Sequence, residues 1–132
     1  MSRGGRWRRG GRRRRRRGRI QRFLEPCLLL LLHMGRSHGY ELAQELAPFG
    51  LGEIDSSLVY RMLREMEARG WVRSEWDPQV VAGPARRVYR LTSEGDRHLA
   101  DWIEDLHQTD DLLSYFLCTY ETHMREGSGE HH

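Results

Sequence analysis

The segment DSSLVYRMLREMEARGWVRSEWDPQVVAGPARRVYRL, Asp55 to Leu91, constrains the fold more than any other part of this chain. Leu58, Val59, Met62, Leu63 and Met66 recur on one side of a 3.6-residue period, with Ser57, Tyr60, Arg61 and Arg64 on the other. One face is made to pack and the other to meet a partner. Asp55, Ser56 or Ser57 can cap the start by accepting an unpaired backbone N–H, and Gly70 stands where a chain leaving a helix takes a positive φ. The pattern predicts a helix over about residues 56–69. Trp71 to Trp76 and Arg86 to Leu91 then carry the aromatic and β-branched residues of strands, around a loop with Pro78, Gly83 and Pro84. A polar, arginine-bearing helix followed by a hairpin with paired arginines is the form in which a winged helix-turn-helix meets duplex DNA. The helix enters the major groove and the wing touches backbone. On that reading Ser56, Ser57, Tyr60, Arg61, Arg64, Arg86 and Arg87 are the candidate DNA contacts; the alternative is that Arg61, Arg64, Arg86 and Arg87 are ordinary solvated charges.

At 132 residues the chain has room for one core and an appendage. All 22 basic residues are arginine, and their distribution is uneven. Residues 1–22 hold twelve arginines and no acid, whereas the remainder holds ten arginines against nineteen acids. A net charge of +3 therefore joins a strongly basic tail to an acidic body. Residues 1–19 have almost nothing to bury and are expected to be disordered when unbound. Their run Arg12, Arg13, Arg14, Arg15, Arg16 and Arg17 suits non-specific contact with nucleic acid through counterion release. The alternative is a merely solvated tail, and a chain acting chiefly through such a tail would be an architectural nucleic-acid binder.

Phe23 to Met34 contains five consecutive leucines, too few apolar residues to span a bilayer, so no membrane association is expected. Basic residues ahead of it imitate a secretory signal, yet His33-Met34-Gly35-Arg36 makes a poor cleavage site. Two isolated cysteines, Cys27 and Cys118, suggest neither a disulfide framework nor a zinc motif and fit a reducing cytoplasm. Cys118 with His123, or His33 with His38, would serve a metal-responsive regulator, but their spacing matches no helical ligand pair. No metal or other cofactor is expected, and no nucleophile elbow or phosphate loop marks an enzyme.

A first helix is expected over residues 20–35, with its leucines buried nearly all round and Gly35 closing it. His38-Gly39-Tyr40 opens a second, carrying Leu42 and Leu46 inward, which Pro48 ends. Three motifs then stand in order: His38-Gly39-Tyr40-Glu41-Leu42; Val59 to Glu67 with Gly70; and Gly83-Pro84-Ala85-Arg86-Arg87-Val88-Tyr89-Arg90-Leu91-Thr92 with Gly95. Together they resemble the PadR family of bacterial transcriptional regulators over about residues 20–122. The resemblance implies a winged-helix, dimeric repressor, often relieved by a small molecule. The arginine-rich tail and a short C-terminal segment depart from the family's larger members.

Thr92 is placed to cap a last helix reaching about Met124. Leu99, Trp102, Leu106, Thr109, Leu113, Phe116 and Tyr120 step through it by alternating threes and fours, the seam of a coiled coil, widened by Ile103, Leu112 and Leu117. About 30 helical residues would extend roughly 45 Å, beyond a small core, so a second chain is the expected partner, the alternative being a seam that packs only on the chain's own first helix. Leu99, Trp102, Leu106, Leu113, Phe116 and Tyr120 are its candidate contacts. Trp102 is also the candidate site for a flat aromatic effector, with simple packing as the alternative.

The expectation is a mainly α protein with a small β-hairpin. Residues 1–19 form the tail, 20–92 the winged helix-turn-helix, 93–124 a dimerisation helix and 125–132 a frayed end. Its expected partner is double-stranded DNA bearing an inverted-repeat operator, bound by a homodimer.

Overall fold

A computed structural model of the chain describes residues 22–35, 38–78 and 86–127. The arginine run at 12–17 lies outside the described residues.

Helix α1 spans residues 22–33, and Leu24, Leu28 and Leu29 on it are wholly buried. Leu31 and Leu32 are nearly so, which makes this helix the centre of the first hydrophobic core rather than an amphipathic cover. Its end is set by Gly35 at φ 102°, a left-handed backbone open to glycine. Cys27 is buried with it, and desolvation pushes its thiol up to about 12, so it packs as a small apolar side chain.

Helix α2, Gly39–Gln44, is shorter than its sequence suggests. Pro48 does not end it; a separate 3-10 turn, Ala47–Phe49, holds that proline in its first positions. Proline disfavours α geometry in the residue before it, so the chain leaves the helix earlier and tightens. Leu42, Leu46 and Leu51 from this stretch are all buried.

Helix α3, Ser56–Ala68, begins on Asp55, whose side chain accepts from the Ser57 amide at 3.1 Å. That bond holds the Asp55 carboxyl below its usual range. Val59, Leu63 and Met66 are buried, and Gly70 leaves the helix at φ 83°. Strands β1, Val72–Trp76, and β2, Arg87–Leu91, pair antiparallel from Val72 opposite Leu91 to Trp76 opposite Arg87. A single bridge between His38 and Val88 adds the start of α2 to the other edge of β2. With pairing on both sides, β2 buries Val88 and Tyr89, while β1 keeps mostly exposed residues.

Thr92 caps helix α4, Ser93–Glu126, accepting from the Gly95 amide at 3.0 Å and donating to the Gly70 carbonyl at 2.6 Å. A side chain at Gly95 would collide with the Trp71 carbonyl, so glycine is required for this close approach. The chain divides into two compact units after Leu99 rather than after Thr92, because the first turns of α4 are bound to the winged helix. His98 stacks on Trp71 with centroids 3.7 Å apart and bonds Glu25 at 2.8 Å, and His33 bonds Asp96 at 2.9 Å. Leu99, expected at a dimer seam, is only 6% exposed and completes the first core. Beyond it, Leu113, Phe116 and Tyr120 are 52%, 65% and 58% exposed. Among the described residues no helix is long and apolar enough to cross a membrane.

Leu63→Ala should cost about 2–5 kcal/mol of stability, the range for emptying a fully buried leucine site. Glu65→Ala, made on an exposed position of the same helix, should leave the denaturant midpoint of the winged-helix unit nearly unchanged. Equal shifts in the two variants would contradict this core.

Candidate nucleic-acid interface

Three elements meet around one open cleft of about 720 Å³. The start of α2 supplies His38, Gly39 and Tyr40; α3 supplies Tyr60, Arg64 and Glu67; the hairpin supplies Trp76, Arg86, Arg87 and Tyr89. Strand alternation explains the hairpin's share. Ser74 and Trp76 stand opposite Tyr89 and Arg87, so all four lie on the same face of the sheet. Tyr60 closes the floor: its ring lies where a side chain at position 39 would be, so Gly39 is what admits it.

Four of the seven expected contacts, Tyr60, Arg64, Arg86 and Arg87, thus come together in the cleft. Ser56, Ser57 and Arg61 are exposed on α3, the two serines in its first turn, and Asp55 rather than either serine caps it. Tyr60 is half-buried against Gly39, a more enclosed position than a side chain projecting freely from the helix. The charges in the cleft are unevenly matched. Glu67 accepts from the Ser74 hydroxyl at 2.9 Å, and Ser74 Oγ accepts in turn from Arg87 Nε at 3.3 Å. Among the described residues no carboxylate pairs with the guanidinium of Arg64, Arg86 or Arg87, whereas Arg90 on the other face pairs with Glu75 at 3.2 Å.

His38, Tyr40, Trp76 and Asp77 were not singled out as part of this interface by their sequence alone. His38 Nε2 bonds Asp77 at 2.8 Å and its Nδ1 bonds Glu41 at 2.8 Å, joining α2 to the end of β1. The bond to Asp77 raises the imidazole pKa above its ordinary 6.5, and the bond to Glu41 raises it further. The protonated ring can donate to both carboxylates at once; the neutral ring can donate to only one. Only the i, i+3 spacing of His38 and Glu41 hinted at this in the sequence. Among the described residues no group of three or more histidine, cysteine or acidic side chains is arranged to hold a metal.

The family model of PadR-like transcriptional regulators matches residues 28–101, from within α1 to the first turns of α4. The chain belongs to the PadR-like family of transcriptional regulators. Its members regulate transcription by binding DNA and are not enzymes. A crystallised conserved protein of unknown function, considered a potential transcriptional factor, is 30% identical at a TM-score of 0.69, covering 78% of this chain and 91% of its own. A PadR family regulator from Eggerthella lenta is 32% identical at a TM-score of 0.56, over 68% of this chain and 80% of its own. A third, from Clostridium difficile, shares the fold at 21% identity and a TM-score of 0.64, over 72% of this chain and 98% of its own. The winged-helix assignment and the PadR resemblance of the three sequence motifs are both met.

The His38 linkage has a definite sign. Because its folded pKa is raised, the stabilisation is fully present below the ordinary 6.5 and is lost as pH rises through the folded value. His38→Gln should therefore destabilise the PadR-like unit most near about pH 6 and progressively less toward about pH 9. Denaturant midpoints of parent and variant across that window provide the check; a constant difference would refute the linkage.

Proposed function

We propose that this PadR-like protein is a cytoplasmic, homodimeric repressor that occupies an inverted-repeat operator and releases it in response to a small aromatic effector. The observation that carries the DNA-binding face is the set of arginines around the cleft that, among the described residues, have no carboxylate partner, beside the exposed start of α3. Arg61 and Arg64 read base edges or adjacent phosphates, Tyr60 supports them, and Ser56 and Ser57 bond phosphate at the helix start. Arg86 and Arg87 touch backbone from the wing. Occupancy alone blocks polymerase, so repression needs no further chemistry.

The dimer reading rests on α4. Leu112, Leu113, Phe116, Leu117 and Tyr120 are all more than half exposed in the single chain, a band of large apolar side chains at coiled-coil spacing. Residues 93–124 serve as the dimerisation helix, with contacts from Trp102 onward. Trp102 on that seam is the effector position, and an effector there acts by favouring one angle between the two reading helices. Two-fold pairing sets the half-sites about one duplex turn, or a multiple, apart.

Each of Arg61→Ala and Arg64→Ala should cost about 1–3 kcal/mol on the operator if it reads a base, relaxing preference at one position. Fluorescence anisotropy against operator and random duplex separates the outcomes. If both variants bind the operator like the parent, α3 is not the reading helix.

The arginine-rich tail supports a second, sequence-independent contribution along flanking DNA. Removing residues 1–18 should weaken binding to every duplex and flatten the slope of log affinity against log salt by about five, if half the tail's arginines touch phosphate. Tighter binding of random DNA by the truncated chain would instead make the tail a shield against it. Equal affinity of the full chain for random and operator DNA would favour the architectural reading over the repressor.

A further inference from the structure

We propose that Arg86 and Arg87 form a clamp for one phosphodiester group of the duplex backbone, and that Tyr40 and Trp76 are positioning residues that hold the clamp in shape. The inference rests on the DNA-binding reading of the cleft and deepens it.

Two consecutive arginines at a hairpin root would ordinarily sweep many rotamers, since each carries a long flexible stem. Here each has a seat. The Arg86 guanidinium lies 5.0 Å from the centroid of Tyr40, and its Nη1 donates to the Tyr40 hydroxyl at 3.3 Å. The Arg87 guanidinium lies 4.7 Å from the centroid of Trp76, and its Nε donates to Ser74 Oγ at 3.3 Å. Tyr40 and Trp76 are themselves 45% and 59% exposed, so neither ring is kept there by the core. Tyr40 also meets the His38 ring with centroids 5.7 Å apart, and each of the two rings has a guanidinium against it at the rim of the cleft.

These seats orient the arginines without neutralising them. A carboxylate partner, such as Glu75 supplies to Arg90, would have satisfied the forked donors and cancelled the charge. A ring face and a hydroxyl leave both positive charges and most N–H donors available to an anion. Arg64 on α3 lines the same cleft, adding a third charge from the reading helix. The cleft adjoins the exposed polar face of α3, so a duplex laid along that helix brings its backbone over the wing root. The anion that fits this placement is a phosphodiester. Because Arg86 and Arg87 are ordered beforehand, binding loses little of the rotamer entropy that immobilising an arginine otherwise costs.

The test uses the full chain and its operator duplex, read by anisotropy. Tyr40→Leu and Trp76→Leu remove the seats; Tyr40→Phe and Trp76→Phe keep a ring face. The leucine variants should bind about threefold to tenfold more weakly, with the phenylalanine variants much closer to the parent. A neutral methylphosphonate is then walked along the backbone one position at a time. At one position it should weaken the parent, and weaken Arg86→Gln and Tyr40→Leu far less, a non-additivity that general destabilisation does not produce. Circular dichroism verifies that each variant is folded. Operator binding by Tyr40→Leu and Trp76→Leu equal to the parent's, or additive losses at every backbone position, would overturn the clamp while leaving DNA binding intact. A parent that binds no duplex would overturn the DNA-binding reading itself.

Discussion

The interface depends on the way His38 ties three elements together. Its backbone bridges Val88, its Nε2 reaches Asp77 beyond β1, and its Nδ1 reaches Glu41 one turn along α2. Without that link the hairpin would be two strands attached to the core along one edge, and an isolated pair of strands is marginal in water. With it, β2 is paired on both sides and buries Val88 and Tyr89. The cleft exists because α2 and the hairpin are held this close, with Tyr60 of α3 filling the space that Gly39 leaves.

A division of labour follows from the distribution of charge and apolar surface. The first core is supplied by α1, whose leucines are buried on nearly every side, and is closed by Leu99 from the start of α4. Polar function is pushed to the opposite side of α3 and to one face of the hairpin. There, among the described residues, the guanidinium groups of Arg86 and Arg87 rest on aromatic rings rather than on carboxylates, which would leave their charge to the proposed phosphate. In the second unit the large apolar residues of α4 beyond Leu99 stand mostly exposed, the reverse of the first. Exposed Leu112, Phe116 and Tyr120 at regular spacing are the side chains a second copy would cover.

Helix α3 and the hairpin were legible because their signals are local: a cap residue, a 3.6-residue period, then strand-forming aromatics around a proline and glycine loop. Arg64, Arg86 and Arg87 followed from them, since only the placement of the elements was needed to bring those side chains together. The seats under the arginines were not legible. Tyr40 meets Arg86 across 46 residues and His38 meets Asp77 across 39, and no local pattern encodes such pairs. Periodicity alone places Leu99 in the coiled-coil seam, because it cannot tell which partner a buried face has; the first core takes it. Pro48 marks a helix stop in the sequence, although the chain already leaves α2 at Glu45, ahead of the tighter 3-10 turn.

On the proposed function, a PadR-like winged helix doubled across α4 reads two copies of one sequence. Hydroxyl-radical footprinting of the full chain on the DNA upstream of its own gene tests it most directly. Two protected half-sites related by a two-fold axis, their centres about one duplex turn or a multiple apart, are predicted. Protection of a single half-site, or uniform protection that ignores sequence, would rule out a two-fold, sequence-reading dimer.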